Sequence, residues 1–197
     1  METNPNSSTA HRRRLFEGMT HAVAANGYSA CTIADIVREA AVSRRTFYEH
    51  FETKADCLIA LYESASHNAL RELRSSIDPQ RGWESQLESA MVSYLHSLST
   101  NPKLLRTLFI DILGLGTPGL AARRRVNHEI ADFVLEVINP THDQAIMTPT
   151  MAMAVVGGIN ELVLQLIEQD RIEDIQSIIT TTSALIRAVV GVKAADY

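Results

Sequence analysis

Between Thr32 and Lys54 the chain reads TIADIVREAAVSRRTFYEHFETK, and the side chains best suited to chemistry lie here. If the segment after Ser43 is helical, each residue advances by 100°, which places Phe47 and Phe51 together facing inward. Arg44, Arg45, Tyr48 and Glu49 then fill the adjoining arc. Two arginines and a tyrosine outside a buried aromatic pair contribute nothing to packing. They fit the major groove of duplex DNA, where Arg reads guanine, a ring meets the thymine methyl and a carboxylate accepts from cytosine N4. Glu49 follows Arg45 by four residues, a spacing that permits a helical ion pair holding the guanidinium toward a base.

Two short helices must position these residues. Ile33, Ile36, Val37 and Ala40 fall at i, i+3, i+4 and i+7, the apolar face of the first. Thr32 precedes that face as an N-cap and Asp35 occupies the acid position of a capping box. Ala41 and Val42 interrupt the pattern, and Ser43 offers a second N-cap. A capped helix, a turn of about three residues and a second capped helix make a helix-turn-helix. The blander alternative is a helical hairpin whose charges face water.

Gly27-Tyr28, Thr32 to Ile36, Ala41-Val42-Ser43, Thr46-Phe47-Tyr48, His50-Phe51 and Lys54 resemble, in order and spacing, the N-terminal signature of TetR-type transcriptional regulators. The resemblance implies an all-α fold. It divides the chain into a flexible arm (1–10), a three-helix DNA-binding domain (11–56) and a helical bundle for ligand binding and dimerisation (57–197). It further implies a repressor that grips a pseudo-palindromic double-stranded operator as a homodimer and is released by a small, largely apolar effector. Arg44, Arg45, Tyr48 and Glu49 would then face bases, and Thr32, Ser43, Thr46, His50 and Lys54 would hold phosphates. Arg45 and Glu49 depart from what many relatives carry, so no operator sequence can be inherited.

Composition agrees. Apolar residues are 46% of the 197 and aromatics only 6%, with little β-type alternation, so helices should dominate. The net charge of −5 is unevenly placed: residues 1–56 carry seven Lys/Arg and seven Asp/Glu, while residues 57–197 carry eleven and sixteen. A neutral head on an acidic body argues against indiscriminate coating of nucleic acid and allows phosphate binding by a few placed groups. Cys31 and Cys57 form no metal or disulfide pattern and fit a reducing cytosol. No apolar run approaches the ~18 residues of a membrane span, and no signal peptide is seen. The histidines are scattered, no nucleophile or acid–base constellation stands out, and neither an enzyme nor a cofactor is expected.

Along the chain, Arg12-Arg13-Arg14 opens a first helix with Leu15, Met19, Val23 and Tyr28 inward and Gly27 as its C-cap. The arginine run is either a solvated end or an arm that reaches DNA. Further helices are predicted over about 54–76 and 83–100. Leu104 to Leu115 looks apolar almost all round, as suits the middle of a bundle. Within it, Asp111 needs a partner from Arg123 to Arg125, an outlet to water, or a ligand. A loop over Gly114 to Gly119 and a helix over 120–138 follow. Met91, Tyr94, Phe109, Asp111 and Asn127 are candidates to line an effector cavity. The last two helices, about 148–169 and 172–192, are either core or half of a four-helix dimer interface; the resemblance favours the dimer. Two rival readings remain, a helical enzyme or carrier and an architectural DNA binder without an effector.

Overall fold

In the computed structural model, residues 5–78, 80–141 and 146–191 are described; Met1 to Asn4 of the expected arm, Val192 and the side chain of Leu98 lie outside them. Nine α-helices follow one another among the described residues, with no strand: α1 (Pro5–Ala30), α2 (Ile33–Ala40), α3 (Arg44–His50), α4 (Lys54–Ser75), α5 (Trp83–Ser99), α6 (Pro102–Phe109), α7 (Thr117–Ile138), α8 (Pro149–Glu168) and α9 (Gln176–Gly191). Two compact units result, one of Met1–Ala65 with Lys103–Ala122 and one of Ser66–Pro102 with Arg123–Tyr197.

The first unit is built on α1. Leu15, Met19 and Val23 are buried, as their spacing requires, together with Ile36, Phe47 and Leu58. Gly18 lets α2 approach: a Cβ there would stand 2.6 Å from the Ile36 carbonyl oxygen and 2.7 Å from the Ala40 nitrogen. At Gly27 (φ 72°, ψ 155°) α1 is kinked, so the glycine redirects the backbone and only a short turn follows.

The stretch 104–119 differs from the sequence reading. The helix α6 stops at Phe109, Ile110 leaves regular geometry (φ −107°, ψ −57°), and a 3₁₀ helix, Asp111–Leu115, completes the segment. Only one side is buried, through Leu105, Thr107, Leu108 and Ile112, so the segment is a cover on the first unit rather than the centre of a bundle. The predicted glycine loop shrinks to Gly116 (φ 63°). Thr117 already opens α7, and Gly119 sits so close to the Ile112 carbonyl that a Cβ would come within 2.0 Å.

In the second unit α5, α8 and α9 pack together, with the 3₁₀ helix Ile172–Ile175 leading into α9. Thr148 caps α8 through a bond from the Met151 amide (3.2 Å). Two bridges join α4 to α7 one heptad apart: His67 to Glu129 (3.0 Å) and Arg74 to Glu136. The expectation that no helix could span a membrane needs correcting, because α8 is long and apolar enough, with a mean hydropathy of 1.6 over an 18-residue window. Its few polar residues, Asn160 and Glu161 side by side among them, are outnumbered by Ala, Met, Val, Ile and Leu, and 33% of that window is buried.

The close passage at Gly18 yields a test. Gly18→Ala should destabilise the protein by about 1–3 kcal/mol, since backbone must move, although alanine is the better helix former. Urea unfolding should show a lower midpoint with an unchanged slope; equal or greater stability would mean that the two helices part easily.

Candidate nucleic-acid interface

The geometry of α2 and α3 comes from their ends. The Thr32 hydroxyl accepts from the Asp35 amide (3.3 Å) while the Thr32 amide donates to Asp35 Oδ2 (3.0 Å), the reciprocal box anticipated from sequence. The Thr32 hydroxyl, which also donates to Asp35 Oδ2 (2.6 Å), then the Thr32 amide and Arg38 Nη1 (2.9 Å) hold the Asp35 carboxyl below the usual range. At the other end Ala41 takes a left-handed conformation (φ 49°), unusual without glycine, and the Val42 amide reaches back to Val37 O (3.1 Å). Ser43 then caps α3 by accepting from the Thr46 amide (3.0 Å), and the two hydroxyls lie 2.9 Å apart.

The two faces of α3 are as spacing demands. Phe47 is completely buried and Phe51, just beyond the helix, nearly so, with ring centroids 5.9 Å apart. Tyr48 is 58% exposed, edge-on to Phe47 at 5.6 Å, and Arg44, Arg45 and Glu49 are exposed beside it. Arg45 Nε donates to Glu49 Oε1 at 3.0 Å, so the pair expected from the i, i+4 spacing is formed.

The remaining candidates separate by role. Lys54 directs its ammonium onto the carbonyl oxygens of Tyr28 (2.9 Å), Cys31 (2.8 Å) and Ser29 (3.4 Å), and lies 4.4 Å from the Tyr28 ring centroid. It therefore closes the C-terminal end of α1, where a cation meets the negative end of the helix dipole. A neighbouring box that sequence reading overlooked, Thr53 with Asp56, starts α4, although its Thr-x-x-Asp signature is plain. The arginine run divides three ways. Arg14 donates to the carbonyls of Ala40 (3.0 Å) and Ala41, closing α2; Arg13 lies 3.7 Å from Glu17 in solvent; and Arg12 rests over Phe16 (5.4 Å) and Phe51 (5.6 Å). His50 faces His11, its ring 6.4 Å away. Partial burial, followed by His11 and Arg12, holds its pKa below the usual imidazole value.

The five effector candidates are divided between the two units. Met91 and Tyr94 line a cavity of about 40 Å³ in the second unit with Phe133, Val156, Asn160 and Ile186. Asn127 does not line it but accepts from Asn160 Nδ2 at 3.0 Å. Phe109 and Asp111 belong to the first unit. Burial raises the Asp111 pKa, opposed by a bond from the Tyr28 amide, by Arg106 and by Thr107, so its partners come from nearby backbone and side chains. Both cysteines are buried, and burial pushes the Cys57 thiol up to about 12, leaving it protonated and unreactive at neutral pH.

With this geometry, the first unit is a helix-turn-helix domain that presents a basic and aromatic helix to solvent. Residues 20–61 match the sequence profile of the bacterial regulatory proteins of the tetR family. The HTH-type transcriptional regulator SrpR of Pseudomonas putida is 29% identical over 131 residues, an alignment spanning 65% of this chain and 57% of SrpR. The uncharacterized HTH-type transcriptional regulator TtgW, also of P. putida, is 29% identical over 118 residues, 58% of this chain and 83% of TtgW. Among solved structures, the fatty acid degradation regulator FadR of Bacillus halodurans superposes with a TM-score of 0.79 at 17% identity, covering 92% of this chain and 98% of that one. FadR of Bacillus subtilis, solved with stearoyl-CoA, gives 0.73 at 15%, covering 87% and 97%. The N-terminal domain thus carries the tetR-family profile, and the chain shares its all-helical fold with the two FadR structures.

Lys54 supplies a test of role. Lys54→Met should cost about 1–3 kcal/mol of stability, because several carbonyl acceptors lose a charged donor. The salt dependence of DNA binding, measured below the new melting transition, should stay unchanged. A shallower salt slope at unaltered stability would instead make Lys54 a phosphate ligand.

Proposed function

We propose that this regulator is a repressor that binds a pseudo-palindromic operator as a homodimer and leaves it when a largely apolar small molecule enters the second unit. The observation that carries the DNA-binding part is the outer face of α3, where Arg44, Arg45 and Tyr48 stand in solvent on a helix fixed by a cap at one end and two buried rings below. In this reading Arg44, Arg45, Tyr48 and Glu49 read base edges, while Thr32, Ser43, Thr46 and His50 lie where phosphates flank the groove. Lys54 acts behind them as a support. The protein works in the cytoplasm, beside its operator. Selection of genomic fragments with the purified chain tests this directly: an enriched inverted repeat is the expected result, and recovery of unrelated fragments would contradict it.

For the dimer, the supporting feature is the outer side of α8 and α9, where Ala154, Gly157, Ala184, Leu185 and Ala188 are exposed. Such a surface lets a second copy approach closely and would cover the apolar α8. Ile179 on α9 is buried within its own subunit and serves the core. The effector part is supported by the apolar cavity bounded by Met91, Tyr94 and Phe133, with the Asn127–Asn160 pair as its polar edge. About 40 Å³ holds a few waters at most, well short of the ~300 Å³ of an ordinary ligand pocket, so an effector must select a more open form. The same small volume favours a second reading, a DNA binder without an effector. Release of DNA by a panel of apolar compounds separates the two.

Gly157 offers a clean probe of assembly, since nothing lies within 4 Å of a Cβ added there. Gly157→Arg should leave the subunit folded but reduce it in sedimentation to the 21.8 kDa of one chain. Affinity for a full operator should fall by about 100-fold or more as bivalence is lost. A variant that remains dimeric with full affinity would place the interface elsewhere.

Base reading by the Arg45–Glu49 pair has its own signature. Glu49→Ala should strengthen binding to mixed-sequence DNA by removing a repelled charge. It should also weaken discrimination at one or two base pairs per half-site, by about 1–3 kcal/mol each. An equal shift across all single-base operator variants would show Glu49 to be a tolerated surface acid.

A further inference from the structure

The start of α1 and the end of α3 bring together three groups that can be cationic, His11, Arg12 and His50. The Arg12 guanidinium carbon lies over Phe16 (5.4 Å) and Phe51 (5.6 Å), and the His11 and His50 rings meet edge to face. Among the described residues no carboxylate stands within ion-pair distance of any of the three. The charged and titratable groups acting on His50 are His11 and Arg12 from α1 and Glu49 from its own helix, and the Glu49 carboxylate is bonded to Arg45 at 3.0 Å. Among the described residues the cluster is thus a cationic corner without a counter-ion, its guanidinium set over two rings.

Its position says what would fill it. A seven-residue helix is about 10 Å long and the major groove about 12 Å wide, so a helix reading bases has its ends against the groove wall, where the phosphates lie. We propose that His11, Arg12 and His50 together bind one backbone phosphate of DNA, and that filling the site takes up a proton on the imidazole pair. The inference rests on the DNA-binding reading above and adds to it Arg12, His11 and a dependence on pH. The phosphodiester oxygens accept from the guanidinium and from ring N–H groups, which are charge-assisted bonds. In the free protein, burial, followed by His11 and Arg12, lowers the His50 pKa below the usual imidazole value. A bound phosphate reverses that balance and raises the imidazole pKa. The sign follows by linkage: the affinity gain is fully present below the free-state pKa and is lost as pH rises through the bound-state pKa. Above that point, binding no longer varies with pH.

The test is fluorescence anisotropy of a mixed-sequence duplex of about 30 base pairs at fixed salt between about pH 5.5 and 8.5. The intact protein should bind about tenfold more tightly at the acid end for each unit by which the phosphate raises the pKa. His50→Gln and His11→Gln should each flatten the profile, and His11→Gln serves if the half-buried His50 proves necessary for folding. Arg12→Gln should weaken binding at every pH and lower the salt slope by about one. His21→Gln, on the exposed side of α1, should change nothing and controls for the general rise in positive charge. A pH response that survives in both His11 and His50 variants, or is lost equally in His21→Gln, overturns the proposal. So does pH-independent binding by the intact protein, which leaves the DNA-binding reading standing. Failure to bind the duplex at any pH overturns that reading as well.

Discussion

The first unit depends on cations placed against the carbonyl ends of helices. A helix leaves its last carbonyls unsatisfied, and here Lys54 takes those of α1 while Arg14 takes those of α2. Each reaches across at least 23 residues of chain, so these bonds fix helices relative to one another as well as finishing them. The kink at Gly27 makes the first arrangement possible, because it turns the carbonyls of Tyr28, Ser29 and Cys31 toward one ammonium. The left-handed Ala41 makes the second possible, closing α2 abruptly enough for Ser43 to start α3 two residues later.

This use of charge explains how a head of zero formal charge can address DNA. Of its basic side chains, Lys54 and Arg14 face inward to carbonyls, and Arg13, Arg38 and Arg45 are matched with Glu17, Asp35 and Glu49. Among the described residues Arg44 has no such partner and Arg12 has only aromatic rings. The unpaired charge is therefore concentrated at the start of α3 and beside its end. Exposed pairs such as Arg45 with Glu49 contribute only about 0.3–0.5 kcal/mol to folding, so their placement matters for orientation more than for stability.

Local rules made much of this legible. The Thr32–Asp35 box, the Ser43 cap, the buried Phe47 and Phe51 and the limits of α8 at Thr148 and Gln169 all follow from residue type and spacing within a turn or two. What escaped was long-range. Nothing near Lys54 or Arg14 reveals that their partners are carbonyls 23 to 27 residues away. The break at Ile110 was hidden because the apolar run continues through it, while the alternation that matters is the one-sided burial of Leu105, Leu108 and Ile112. Phe109 and Asp111 were grouped with Met91 and Tyr94 by chain order and polarity. The fold instead assigns them to the first unit, where Asp111 receives the Tyr28 amide.

The central claim is that a pair of α3 helices, one from each subunit, reads two successive faces of duplex DNA. Hydroxyl-radical footprinting on a fragment enriched from the genome tests it most directly, since it reports protection nucleotide by nucleotide. The account predicts two protected patches related by two-fold symmetry and centred about one helical turn, or a whole multiple, apart. It further predicts that Arg44→Ala abolishes both patches together. A single unsymmetrical patch, or continuous protection that survives the loss of Arg44, would contradict it.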